Sequence, residues 1–346
     1  MSLIPPLPLV NDALFISASF LERLETCPRS AQYYKLNART SVQNSGGLHF
    51  GKIIHSALEL YNTHVGQSQL DSEKIDQLVL AQLEKEFGDH PPIDGDHRDF
   101  NWALEIYQRY KRQFEFESFE LLEYTSPIPC PACADNPALP CNFCLGSRTR
   151  TIMTEVPFAV KLFDHGSLPV FYHGYIDLPV LINNQVFVLD YKTTSVLGNT
   201  FWDGHRMSAQ QKGYCWAFHE TTDLPVAGYL VRAIRTSKMP LSVSSGTPNR
   251  KTGNITSVEN WWAESFPEEK FYLGTDERTE WKTNAIALVE EFLWHYSRSY
   301  FPKKTQWCSG RYGRCQYYDV CSTFPEADRP LMLNSGLFQT KQPTNI

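Results

Sequence analysis

The apolar positions of the chain change their period twice. Phe50, Ile54, Ala57, Leu58 and Tyr61 recur every three or four residues, as on a helix with one buried face. Two further stretches, roughly 71–88 and 99–122, keep this helical texture on either side of a Pro- and Gly-containing segment at 89–97. Ahead of them, Ser19 followed by Glu22 gives a capping-box pattern for one short helix. Pro28 suits the first turn of a second helix that runs through Tyr33 and Leu36. Residues 1–12 read as an irregular lead-in. From Thr151 the texture becomes that of strands, at 151–163, 169–182 and 185–193. A helix at 207–220, a strand at 227–235, a polar loop at 236–256 and a long helix at 276–299 follow. This order predicts an α/β or α+β chain with a central mixed β-sheet flanked by helices.

Asn183-Asn184 separates two apolar strands, and asparagine tolerates the left-handed conformation that tight hairpin turns need. With these two as the turn, Ile182 pairs with Gln185, and counting outward sets Asp177 opposite Asp190. Opposed residues have Cβ atoms about 4.5–5.5 Å apart, and like charges there repel. Lys192 points to the same face as Asp190. A divalent cation on the two carboxylates would relieve the repulsion, and hard oxygen donors suit Mg²⁺ or Mn²⁺. A pair of solvated acids, or Asp190 simply paired to Lys192, satisfies the same pattern. His55 and Glu59 share a helix face, as do Gln210 and Tyr214. Taken alone, the first pair fits a solvated histidine and the second ordinary packing.

The length of 346 residues allows one large domain or two ordinary ones. The net charge of −6 argues against a protein that merely coats nucleic acid, which would be basic, but not against an enzyme with one cationic cleft. No apolar run is long enough to span a membrane, and no basic-then-apolar leader opens the chain, so a cytoplasmic location is expected. In a reducing compartment, clustered cysteines signal metal before disulfides. Cys130, Cys133, Cys141 and Cys144 form two C-x₂-C pairs seven residues apart, the spacing of a structural Zn²⁺ knuckle. Four protein ligands leave no open position for water, which excludes a zinc hydrolase built on that site. Cys215 reads as a small buried hydrophobe.

Five segments in order resemble the PD-(D/E)XK nuclease superfamily, and most closely its RecB-like branch with the AddB-type and CRISPR-associated exonucleases. They are SASFLERLETCPRSAQYYKL at 17–36, the Gly-x-x-x-His of FGKIIHSALELY at 50–61, the Gly-x-x-Asp of GYIDLPV at 174–180, the Asp-x-Lys of VLDYKTTS at 188–195, and the Gln-x-x-x-Tyr of QQKGY at 210–214. The resemblance implies a restriction-endonuclease-like core and a metal-dependent DNA nuclease, in character an exonuclease of recombination, repair, phage replication or CRISPR spacer acquisition. A DNA-end-binding or scaffolding protein that kept the fold without catalysis is the alternative.

By the same resemblance, His55, Asp177, Asp190 and the carbonyl of Tyr191 ligate Mg²⁺ or Mn²⁺. Lys192 orients or activates the attacking water and stabilises charge on the phosphate, and Gln210 and Tyr214 position DNA, single-stranded or at duplex ends. Glu155, at the start of a strand, is either an acid close by or a surface residue. Recombination or CRISPR-adaptation proteins are the implied protein partners. Cys27, Cys308, Cys315 and Cys321 have the layout that in this branch holds a [4Fe–4S] cluster, with tetrahedral Zn²⁺ as the rival. The six residues between Cys308 and Cys315 depart from the two usual there. The expected organisation is therefore an N-terminal helical part at 1–125, an inserted zinc knuckle at 126–150, the nuclease core at 151–300 and a cysteine-bound tail at 301–346.

Overall fold

A computed structural model describes residues 4–41, 46–67, 70–92, 95–115, 119–122, 124–125, 151–152, 154–249, 251–310, 313–322 and 328–340. Cys130, Cys133, Cys141 and Cys144, with the knuckle expected of them, lie outside the described residues.

The chain opens with β1 (Ala13–Ile16), α1 (Ala18–Thr26) and α2 (Pro28–Lys35), followed by α3 (Gly46–Gln67), α4 (Ser72–Asp89) and α5 (Phe100–Gln113). Four strands come next: β2 (Val156–His165), β3 (Leu168–Ile176), β4 (Leu178–Ile182) and β5 (Gln185–Thr194). Then come α6 (Asn199–Arg206), α7 (Ala209–Thr222), β6 (Val226–Arg235), β7 (Glu268–Tyr272) and the long α8 (Thr275–Ser297). None of the described helices is long and apolar enough to cross a membrane.

The single central sheet expected from the sequence is two mixed sheets. One runs β7-β6-β5-β4 and ends on the short strand Glu120–Leu121. The other runs Leu9–Val10, β1, β3, β2. The stretch expected as one strand at 169–182 is cut at Asp177, and its halves, β3 and β4, belong to different sheets. The lead-in is also more ordered than expected, because Leu9–Val10 pairs antiparallel with β1, which itself pairs in parallel with β3. The helix expected to reach residue 122 ends at Phe114 instead, and Leu121 pairs with Val180 at the sheet edge. Ser17, not Ser19, takes the first cap.

The hairpin has the register its turn residues predict. Asn183 and Asn184 have φ of 50° and 62°, Gln185 lies opposite Ile182, and the ladder runs to Leu189 opposite Leu178. Side chains of β5 alternate between two cores. Val186 and Val188 pack with Trp216, Phe218, Val289 and Phe292 from α7 and α8. Phe187, Leu189 and Tyr191 pack with Phe50, Ile54, Leu58, Ile106 and Tyr110 from α3 and α5. A strand covered on both faces reads as a continuous apolar run, which Val186 to Leu189 supply. Asp190 follows inside that run with 1% exposure, so its charge needs partners.

The C-terminal residues close on the N-terminal helices. Phe338–Thr340 pairs antiparallel with Arg39–Ser41. Tyr317 stacks on Phe338, meets Tyr33 edge-on and donates its hydroxyl to the Arg39 carbonyl at 2.5 Å. Buried Arg29 donates to the Phe301 carbonyl at 2.6 Å.

Candidate active site

The site forms where β5 outruns β4. The last β4–β5 pair is Leu178–Leu189, and one residue earlier the chain turns its corner at Asp177. Backbone groups beyond that point need other partners. The Tyr191 N–H donates to Asp177 Oδ2 at 3.0 Å, and the Tyr191 carbonyl accepts from the His55 imidazole. His55 Nδ1 lies 3.8 Å from Asp177 Oδ2. Helix α3 brings His55 this close because Gly51, one turn earlier, has no side chain. A Cβ there would stand 2.6 Å from Thr193 Oγ1 on β5. This is the physical reason for glycine four residues before the histidine.

The Asp190 side chain points toward α7, away from the Tyr191 ring. Lys192 Nζ lies 2.7 Å from its Oδ1 and 2.6 Å from its Oδ2, and Gln211 Nε2 donates to Oδ2 at 3.1 Å. Sequence reasoning passed over Gln211 in favour of its neighbour Gln210, which donates to the Tyr214 hydroxyl at 2.9 Å. The doubled glutamine was the only signal, and helix phase decides which of the two looks at Asp190. His205 on α6 also escaped the sequence reading. Burial first, then Lys192, lower its pKa, while Asp190 opposes.

The electrostatics show a cluster short of positive charge. Burial, then Asp190 and Glu155, push the Asp177 carboxyl well above its ordinary range, although Lys192 and the Tyr191 N–H pull the other way. Glu155, whose N–H donates to the Asp177 carbonyl at 2.9 Å, is pushed up to about 7 by burial, Glu59 and Asp190. Burial and Lys192 bring His55 down to about 4, so it is neutral at pH 7 with a free lone pair. Burial opposes the charge on Lys192, but Asp190 and Asp177 outweigh it and raise its pKa. Burial raises the Tyr214 phenol, as do the Asp190 and Asp177 charges, so it keeps its proton.

Two carboxylates, a neutral imidazole and a carbonyl are the donor set that suits Mg²⁺ or Mn²⁺. The fit is one of chemistry rather than finished geometry. Among the described residues, no group of three or more His, Cys, Asp or Glu side chains stands ready around a cation, and Lys192 lies against both Asp190 oxygens.

The cysteines divide. Cys27 and Cys308 lie near Cys315, whose N–H donates to the Cys308 carbonyl at 3.0 Å. Cys321 packs beside Tyr33, Tyr317 and Val320, and its carbonyl accepts from Lys303 Nζ at 2.7 Å. Among the described residues, these thiols form no group ready to hold a metal ion. Cys215 is fully buried, as expected.

The family model of the PD-(D/E)XK nuclease superfamily matches residues 16–322, which takes in every one of these site residues. The chain belongs to the PD-(D/E)XK nuclease superfamily. Members of this superfamily cleave phosphodiester bonds. No curated protein matches the chain. Among solved structures it is similar to a "Putative exonuclease" from Eubacterium rectale, with 11% identity, 93% of each chain covered and a TM-score of 0.47.

Proposed function

We propose that this superfamily member is a divalent-metal-dependent DNA exonuclease acting on single strands or duplex ends. The observation that carries the reading is the convergence of Asp177, Asp190, neutral His55, the Tyr191 carbonyl and Lys192 at the end of the β4–β5 ladder. Asp177, Asp190, His55 and the Tyr191 carbonyl would hold Mg²⁺ or Mn²⁺, which when bound lowers the pKa of water and offsets charge on the phosphoryl oxygens. Lys192 keeps its proton beside Asp190, orients the attacking water and stabilises negative charge on the phosphate. Gln210 fixes the Tyr214 phenol, which stays protonated and donates to a backbone phosphate of the strand. Recombination, repair, phage replication and CRISPR spacer acquisition, with their proteins as partners, are the settings we propose, in the cytoplasm.

DNA labelled at either end, single- and double-stranded, tests this with Mg²⁺ or Mn²⁺. Stepwise release of nucleotides from an end supports it. Internal cuts on closed circular DNA would remove the exonuclease assignment. Binding of ends without cleavage under any divalent metal would leave the non-catalytic scaffold.

A [4Fe–4S] cluster at Cys27, Cys308, Cys315 and Cys321, with Zn²⁺ as the alternative, is proposed on the order of these cysteines along the chain and the nearness of Cys27 and Cys308 to Cys315. The thiols would have to draw together to hold it. Absorption near 400 nm with about four irons per chain supports the cluster. Colourless protein carrying zinc supports the alternative and also fits the four-cysteine knuckle at Cys130, Cys133, Cys141 and Cys144.

A further inference from the structure

Tyr191 faces two ways. Its backbone holds Asp177 and His55 on the site edge of β5, while its side chain enters the core among α3 and α5. There its hydroxyl lies 2.9 Å from the Tyr110 hydroxyl and accepts from Asn62 Nδ2 at 3.0 Å. The Tyr110 oxygen in turn accepts from Arg232 Nη1 at 2.8 Å. Arg232 sits opposite Tyr191 in the parallel β5–β6 ladder and is 1% exposed. Its Nε and Nη2 donate to Glu268 at 3.1 and 2.8 Å, and its guanidinium lies 3.6 Å from the centre of the Phe114 ring.

This buried chain has fixed ends. Arg232 and Asn62 donate through nitrogen, so each phenol oxygen accepts from one of them, and one of the two hydroxyls donates to the other. A guanidinium in a core costs more than an apolar side chain of its size unless it is fully partnered. Fold stability alone does not ask for one here. The linked groups instead fix the height and twist of Tyr191, and with them the N–H and carbonyl that the site uses.

We infer that Arg232 and Tyr110 are positioning residues that hold the Tyr191 backbone in register for the metal centre. The inference rests on the metal-dependent reading above and deepens it. Neither residue touches the reacting atoms. Partners of this kind typically change metal affinity by about 10- to 100-fold when removed.

The test is Mn²⁺ binding to DNA-free protein, by calorimetry and by the electron paramagnetic resonance of free Mn²⁺. Tyr110→Phe removes one oxygen and keeps the ring, and Arg232→Met removes the guanidinium and keeps volume. Both are expected to weaken Mn²⁺ binding about 10-fold or more, with kcat largely recovered at saturating Mn²⁺. Ile106→Val, a core change on α5 outside the hydrogen-bonded chain, lowers stability and leaves Mn²⁺ affinity unchanged. Wild-type affinity in folded Tyr110→Phe overturns the inference, whether or not Arg232→Met folds. Asp190→Ala separates the two failures. If it abolishes Mn²⁺ binding while Tyr110→Phe does not alter it, the metal centre stands and only the positioning role falls. If Asp190→Ala leaves Mn²⁺ binding intact, the metal-centre reading falls and takes this inference with it.

Discussion

Gln211 Nε2 donates to Asp190 Oδ2 across 3.1 Å from a side chain with no solvent exposure. It shares with Lys192 the task of orienting a carboxylate that is itself 1% exposed. The other end of the amide, Oε1, is buried without a hydrogen-bond partner, so the group is committed to this one contact.

Gln211→Met keeps the volume and removes the donor. We expect about a 10- to 100-fold rise in the Mn²⁺ concentration needed for half-maximal cleavage, with a smaller change in DNA affinity. Titration of Mn²⁺ at fixed DNA measures the first and a binding isotherm in Ca²⁺ the second.

Gly51 and Thr193 meet where α3 crosses β5. Gly51→Ala drives a methyl group against the threonine and should cost about 1–3 kcal/mol of stability. It should also lower cleavage by displacing His55. Thr193→Ala in the same chain removes the obstructing atoms and should return part of both losses. A double-mutant cycle read by denaturant unfolding and by activity should show coupling of about 0.5–3 kcal/mol. Additive losses would mean that the close approach does not set the position of α3.

The raised carboxyls make a pH prediction with a definite sign. A group whose folded pKa lies above its unfolded value stabilises the fold below the unfolded value and loses that contribution as pH rises through the folded one. Glu155, raised from 4.5 to about 7, and Asp177, raised well above its ordinary value by burial and by Asp190, both behave so. Metal-free protein should therefore lose thermal stability between pH 5 and pH 8, by about a few °C, and added Mn²⁺ should restore it. Asp177→Asn keeps an acceptor for the Tyr191 N–H and removes the charge. Its Tm in chelator should exceed that of wild type at pH 8 and vary less with pH.

Tyr317 holds the tail by packing and by its hydroxyl. It is 1% exposed, and Tyr317→Ala should cost about 3–5 kcal/mol if the tail folds with the rest. Limited proteolysis should then cut first near residue 310 or beyond. Unchanged protection would show that the tail is held by something other than this aromatic cluster.

Much of the site was legible because its residues sit on periodic elements. The turn at Asn183-Asn184 sets the register of the β4–β5 hairpin, and alternation along β5 sends Asp190 and Lys192 to one face. What the sequence hid was the corner at Asp177. An apolar run reads the same whether one sheet or two receives it, so the break between β3 and β4 left no local mark. Arg232 was invisible for a similar reason. Within VRAIR it looks like a strand-edge charge, and only the fold shows Tyr110 and Phe114 around it. Gln211 was hidden by its twin, since one residue of helix phase separates a contact with Asp190 from a contact with Tyr214.

The most direct test is cleavage of end-labelled DNA by purified wild-type protein, Asp190→Ala and Lys192→Ala, with Mg²⁺ or Mn²⁺ and with chelator. The account predicts metal-dependent release of nucleotides by wild type and at least about a 10³-fold loss in each variant, with circular dichroism unchanged. Cleavage at the wild-type rate by folded Asp190→Ala or Lys192→Ala, or by wild type in chelator, would contradict it.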